Sequence, residues 1–152
     1  MATYSCPYVS QNDLSPDLII YRVVHPKFVD WTKLDDIGLP LMTSQVFQEN
    51  RPERARELGY PEPAVSIAFA HILERDAQHI DVLLEDFDDS WGIAQLTVGS
   101  VREVVPEVGV RHDAIHRPWH GILFSVTRSQ LKGEKGALRD RARLIRAPRP
   151  TT

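Results

Sequence analysis

Two short apolar stretches, Val108–Arg111 and Gly121–Val126, bracket a polar loop that carries three of the chain's six histidines. The segment reads VGVRHDAIHRPWHGILFSV, and its pattern is strand, loop, strand. His112, His116 and His120 recur every four residues. On a helix that spacing would stack three imidazoles on one face, a workable donor set for zinc, copper or nickel. Pro118 stands between the second and third histidines, breaks a helix interior and pushes Arg117 toward an extended conformation. The three rings are therefore not expected to share a helix face, and they are weak metal candidates. His120 keeps two readings, a ligand-contacting or catalytic side chain and a hydrogen-bonded residue at a strand start.

Other strands follow the same logic of β-branched runs between prolines. Asp17–Val24, DLIIYRVV, lies between Pro16 and Pro26 and is the clearest of them. Arg22 is its odd member, either pointing to solvent or reaching into a site. His25–Pro40 is irregular, with Phe28, Trp31 and Leu34 expected to pack as a helical turn. Leu41–Phe47 is expected to be a strand bearing Thr43 and Ser44. Arg51–Leu58 suits a short polar helix, with proline at an early position where its missing N–H costs nothing. Ala64–Leu73 fits a buried strand or the start of a helix equally well.

Ile80, Leu83, Leu84 and Phe87 fall at i, i+3, i+4 and i+7, the stripe of an amphipathic helix. The acids Glu85, Asp86, Asp88 and Asp89 would crowd its C-terminal end, the unfavourable end for negative charge. Trp91–Thr97 predicts a strand, Val98–Val105 a helical turn or two, Arg128–Asp140 a helix and Arg143–Ala147 a last strand. Strands and helices alternate irregularly at short spacings. The expected fold is α+β, a single domain with a mixed or mostly antiparallel sheet and a few short helices on it. Residues 1–16 are expected to be an arm, 17–148 the domain and 149–152 a tail.

At 152 residues the chain can bury a core without staples. Its lone cysteine, Cys6, excludes an internal disulfide and a cysteine-based zinc site. No apolar run approaches the roughly 18 residues of a membrane span, and the first residues lack a signal-peptide pattern. A cytoplasmic location is expected, without membrane partners. The net charge of −3 is uneven: Arg128–Arg149 carries +6 and the rest −9. Such a basic end can meet nucleic acid, a phosphate or an acidic surface, or dock on its own body. No aromatic interleaves it to stack bases.

Several pieces together resemble a family of small uncharacterised bacterial proteins. These are Tyr21-Arg22, Thr43-Ser44-Gln45-Val46-Phe47, Val65-Ser66-Ile67, Gly92-Ile93-Ala94-Gln95-Leu96-Thr97-Val98-Gly99 and Pro118-Trp119-His120-Gly121. The family pattern has a Ser-Ser pair where Thr43-Ser44 stands, and residues 48–62 look like an insertion. The resemblance spans about Asp17–Pro148 and marks Arg22, Ser44, Ser66 and His120 as polar residues to watch, without implying an activity. The first two strands are also similar to the NAD-gripping part of ADP-ribosyltransferase folds. That similarity implies Arg22 on the cofactor phosphates and Thr43-Ser44 on its ribose.

No Gly-x-Ser-x-Gly elbow, Gly-rich phosphate loop or dinucleotide fingerprint is present. Ser66, His120 and Asp113 are the residue types of a hydrolytic triad, but no motif frames them. The leading expectation is a non-enzymatic partner-binding or accessory domain of a bacterial operon-encoded system, conflict or defence included. It needs no cofactor, and Trp31 and Trp119 are its expected anchors. The first alternative is a small NAD-using transferase or toxin-like domain in which Arg22, Thr43, Ser44 and His120 line one pocket, with Ser66 a further ligand-binding candidate. The second is nucleic-acid binding through the basic end.

Overall fold

The computed structural model describes residues 14–48, 57, 64–106, 108–114, 117–125 and 134–149. His116, most of the 1–16 arm, nearly all of the Arg51–Leu58 helix and the first part of the Arg128–Asp140 helix lie outside the described residues.

Eight strands are present among the described residues: β1 (Ile19–Val24), β2 (Val29–Leu34), β3 (Pro40–Met42), β4 (Ala64–Phe69), β5 (Gly92–Thr97), β6 (Val108–His112), β7 (His120–Ser125) and β8 (Arg143–Arg146). Three short α-helices accompany them, α1 (Ala70–Arg75), α2 (Val98–Val104) and α3 (Lys135–Arg141). Six strands form one sheet in the order β6-β7-β4-β1-β5-β8, and β2-β3 form a separate ribbon. Every pairing is antiparallel. The architecture is α+β, as the interspersed pattern of the sequence implies.

Strand alternation sorts the side chains. Ile20 and Val24 of β1, Val65, Ile67 and Phe69 of β4, Leu96 of β5, Val110 of β6 and Leu123 of β7 share one face by register, and all are buried. The 3-10 turn Ser44–Phe47 packs on α3, and α3 on α2. These elements supply Val46, Phe47, Val98, Val101 and Leu138 to the core. The stretch 64–73 resolves as strand and helix in succession, β4 running directly into α1.

Three local expectations give way. The 41–47 strand ends at Met42, because Val46 N–H donates to the Thr43 carbonyl and Gln48 N–H to that of Gln45. The turn so closed buries the adjacent residues Val46 and Phe47 together, which a strand with alternating sides would not do. The 80–87 stripe closes only a 3-10 turn, Ile80–Leu84, that buries Leu83 and Leu84. Phe87 lies beyond that turn and packs on Trp91, ring centroids 4.6 Å apart. Residues 29–34 form β2, not a helical turn, and leave Trp31 and Leu34 exposed.

Two glycines set the closeness of the β6–β7 pair. A Cβ on Gly109 would overlap the Phe124 ring, and one on Gly121 would overlap Phe69 and come within 2.9 Å of the Arg111 carbonyl. Phe69 and Phe124 are both fully buried, so neither ring can swing into water. Gly121→Ala is expected to lower stability by about 1–3 kcal/mol through overpacking. Urea denaturation followed by circular dichroism measures this; an unchanged midpoint would mean that the Phe69 ring has room to shift.

Candidate functional site

Arg22 sits mid-strand in β1, opposite Ala94 of β5. On the other side, the β1–β4 ladder pairs Ile20 with Phe69 and Tyr21 with Ala68, then stops. The Arg22 side chain occupies the place where the ladder ends. Its Nη1 donates to the Ser66 carbonyl at 2.8 Å, Nε to Val46 at 2.9 Å and Nη2 to Gln48 at 3.1 Å. Three planar donors thus satisfy acceptors from β4 and from the 3-10 turn at once, a geometry suited to guanidinium and not to ammonium. Burial pulls its pKa down to about 10, so the group stays charged at neutral pH. No acidic side chain accepts from it in these bonds; the carbonyls carry the charge.

His120 opens β7 and pairs with Ala68, which pairs in turn with Tyr21. Cross-strand partners share a face, so His120, Ala68 and Tyr21 form one row. Arg22, next to Tyr21 on the strand, points to the opposite face. The sheet itself therefore separates Arg22 from His120.

The His120 ring has a different companion. Its Nδ1 lies 3.2 Å from the Asp113 backbone carbonyl and 3.6 Å from Asp113 Oδ2. A carbonyl only accepts, so Nδ1 carries the proton and the lone pair of the neutral ring is on Nε2. Asp113 is only 7% exposed, and its Oδ2 has no hydrogen-bond partner among the described residues. A buried carboxylate beside a half-buried imidazole with a fixed tautomer is chemically capable of proton transfer. Asp113 is a buried acid among the described residues, and the sequence offered it only as one member of an unframed Ser66, His120 and Asp113 set.

The other candidates disperse. Thr43 N–H and Oγ1 both donate to the Phe28 carbonyl, at 2.8 and 3.0 Å, and tie the ribbon's end to its start. Ser44 opens the 3-10 turn and is not on a strand. Ser66 pairs with Ile122 and so faces the His120 side. His112 pairs with Gly121, lies edge-on to Phe69 at 5.8 Å and bonds the Pro118 carbonyl through Nε2. By register it faces away from His120, and no cluster of three metal-ligating side chains occurs among the described residues. No protein-family model, curated protein or solved structure matches the chain.

The basic end spends its charge on the body. Arg141 pairs with Glu103 and Arg146 with Asp81. Arg149 reaches Asp89 at 3.1 Å, and Arg139 pairs with its neighbour Asp140 at 3.0 Å. Arg117 adds a two-pronged pair with Asp86, at 3.0 and 2.6 Å, which holds that carboxyl below the usual carboxylate range. Arg117 also lies over the ring of Trp119, 5.9 Å from its centroid. Trp119 is buried, contrary to its expected role as an exposed anchor, because Phe69 N–H bonds its carbonyl and holds the loop down.

The ribbon leaves large apolar side chains open to solvent. Trp31, Leu34, Ile37 and Leu41, all on or between the two ribbon strands, are four of the six exposed large hydrophobics among the described residues. Ile37 carried no sequence signal beyond the turn residues around it, and Leu41 was legible only as the start of an expected strand.

Replacing Arg22 by Ala would strand three carbonyls, at an expected cost of about 3 kcal/mol, and Arg22→Lys would recover only part of it. Thermal melts of the two variants check this. In calorimetry, millimolar NAD is expected to give no saturable heat; binding that Arg22→Ala abolishes in a folded variant would support the transferase reading.

Proposed function

We propose that the protein is a non-enzymatic partner-binding domain, an accessory to another protein, and that its contact surface is the β2–β3 ribbon. The single observation behind this reading is the apolar exposure of that ribbon. Ile37 at its tip is 78% exposed and Leu34 60%. Scattered exposed leucines need no explanation, but four large apolar side chains exposed within eleven residues of one ribbon are a concentration that does.

The ribbon is also pre-shaped. At the tip, Asp35 Oδ1 accepts from the N–H groups of Ile37 at 3.0 Å and Leu39 at 2.9 Å. Asp35 N–H donates to the Leu39 carbonyl at 2.8 Å, and Gly38 takes the positive φ of 89° that the tight reversal demands. At the base, Val29 and Pro40 are buried and Thr43 bonds Phe28. A side chain held out on a fixed turn loses little freedom when a partner covers it, which favours tight association for a small area. Trp31 and Leu41 supply the larger, half-exposed contacts behind the tip.

The test is Ile37→Glu, alone and with Leu34→Glu, in tagged protein recovered from its native host. Both side chains face solvent, so stability should move by no more than about 0.5 kcal/mol. A stoichiometric companion is expected with the wild type and is expected to be lost from the variants. A companion retained by the double variant, or none recovered with the wild type, would sink the ribbon as the contact surface.

A further inference from the structure

Beside the ribbon, between β3 and β8, lies a cleft of about 400 Å³. One wall is Pro40–Leu41–Met42, the other α3 and the start of β8 with Arg139, Arg143 and Leu144. The volume falls in the range of about 300–1,000 Å³ usual for ligand sites. Each wall includes an edge strand. β8 ends the six-strand order, and β3 pairs only with β2. Each therefore turns alternate backbone N–H and C=O groups away from its one neighbour among the described residues.

The charges in the cleft are unequal in what they have left to give. Asp35 spends Oδ1 on two backbone N–H groups. Asp140 and Arg139 neutralise each other. The Arg143 side chain is exposed and makes no ion pair or hydrogen bond among the described residues. It is also the arginine of α3–β8 that breaks a pattern: Arg139, Arg141, Arg146 and Arg149 each have an acid of this chain. The uncommitted group in the cleft is thus a guanidinium, set beside the apolar Leu41 and Met42.

We propose that this cleft takes an extended peptide segment of the partner, added as a strand along the β8 edge, with a carboxylate on Arg143 and an apolar side chain against Leu41 and Met42. The proposal rests on the partner-binding reading and names the chemistry of the partner. Main-chain bonds to the edge would supply affinity, and the alternation of acidic and apolar residues would supply register and selectivity. Arginine suits the role because it grips a carboxylate with two parallel N–H bonds.

Two probes test it by fluorescence anisotropy, a capped hexapeptide of alternating valine and glutamate and its lysine counterpart. The glutamate peptide is expected to bind saturably and at least tenfold more tightly than the lysine peptide. Arg143→Glu should weaken it tenfold or more. Leu41→Asp, outside the main sheet, should do likewise should the first variant fail to fold. Equal binding of the two peptides, no saturation, or no effect of either folded variant would overturn the proposal and leave β8 as an edge merely blunted by arginine. A concentration-dependent dimer that Arg143→Glu abolishes in sedimentation would also overturn it, with a second copy as the occupant. Ile37→Glu separates the two ideas, since it should abolish capture of the companion and leave peptide affinity unchanged. Loss of capture with no peptide binding leaves the ribbon standing and removes the cleft; peptide binding with intact capture does the reverse.

Discussion

The Arg22 guanidinium holds together what the main-chain ladder does not. β1 lies at the heart of the sheet, yet its bonds to β4 cover only Ile20 and Tyr21. Past that point the two strands part, and a side chain takes over the work of the backbone. By bonding Ser66 it closes the sheet, and by bonding Val46 and Gln48 it fixes the turn on which α3 rests. A buried charge is usually a liability, since desolvation opposes it. Here three carbonyl dipoles replace water, and because no carboxylate is needed the arrangement cannot be undone by acid. The turn against which α3 packs is thus fixed to the sheet by that one side chain.

Electrostatics complete the domain from outside. The acids that follow the 80–84 turn would be ill placed at a helix end, but they do not face one another's repulsion alone. Asp81, Asp86 and Asp89 each receive an arginine from elsewhere in the chain, Arg146, Arg117 and Arg149. Each pair is solvent-exposed and worth little by itself. Two of them, from Arg146 and Arg149, spend charge of the basic end on the acidic body.

The legible parts of the fold were those where one rule dominated. Asp17–Val24 and Trp91–Thr97 are β-rich and bounded by breakers, and they form β1 and β5. The 108–126 segment, with Pro118 forbidding a helix, forms β6, a turn and β7. The illegible parts were those where distant contacts decided. Thr43-Ser44 has strand propensity, but the burial of Val46 and Phe47 beneath Arg22 coils it. The apolar stripe from Ile80 to Phe87 has helical spacing, but Trp91 draws Phe87 off its face. Arg22 was legible as an anomaly and not as a clamp, because its three acceptors are main-chain atoms that leave no trace in sequence. The ribbon hid for the opposite reason: apolar residues on a strand suggest burial, and only the fold shows that nothing in the described chain covers them.

The order of strands has one more consequence. β1, the earliest strand described, is flanked by β4 and β5, which lie some 45 and 70 residues further on, while β8 closes the edge near residue 146. Loop-closure entropy must be met before any of these pairings returns free energy. On a ribosome the central strand therefore waits, unpaired and apolar, until most of the chain has emerged. Folding should be slow for a domain of this size, with Ile19–Val24 left unpaired in the interval.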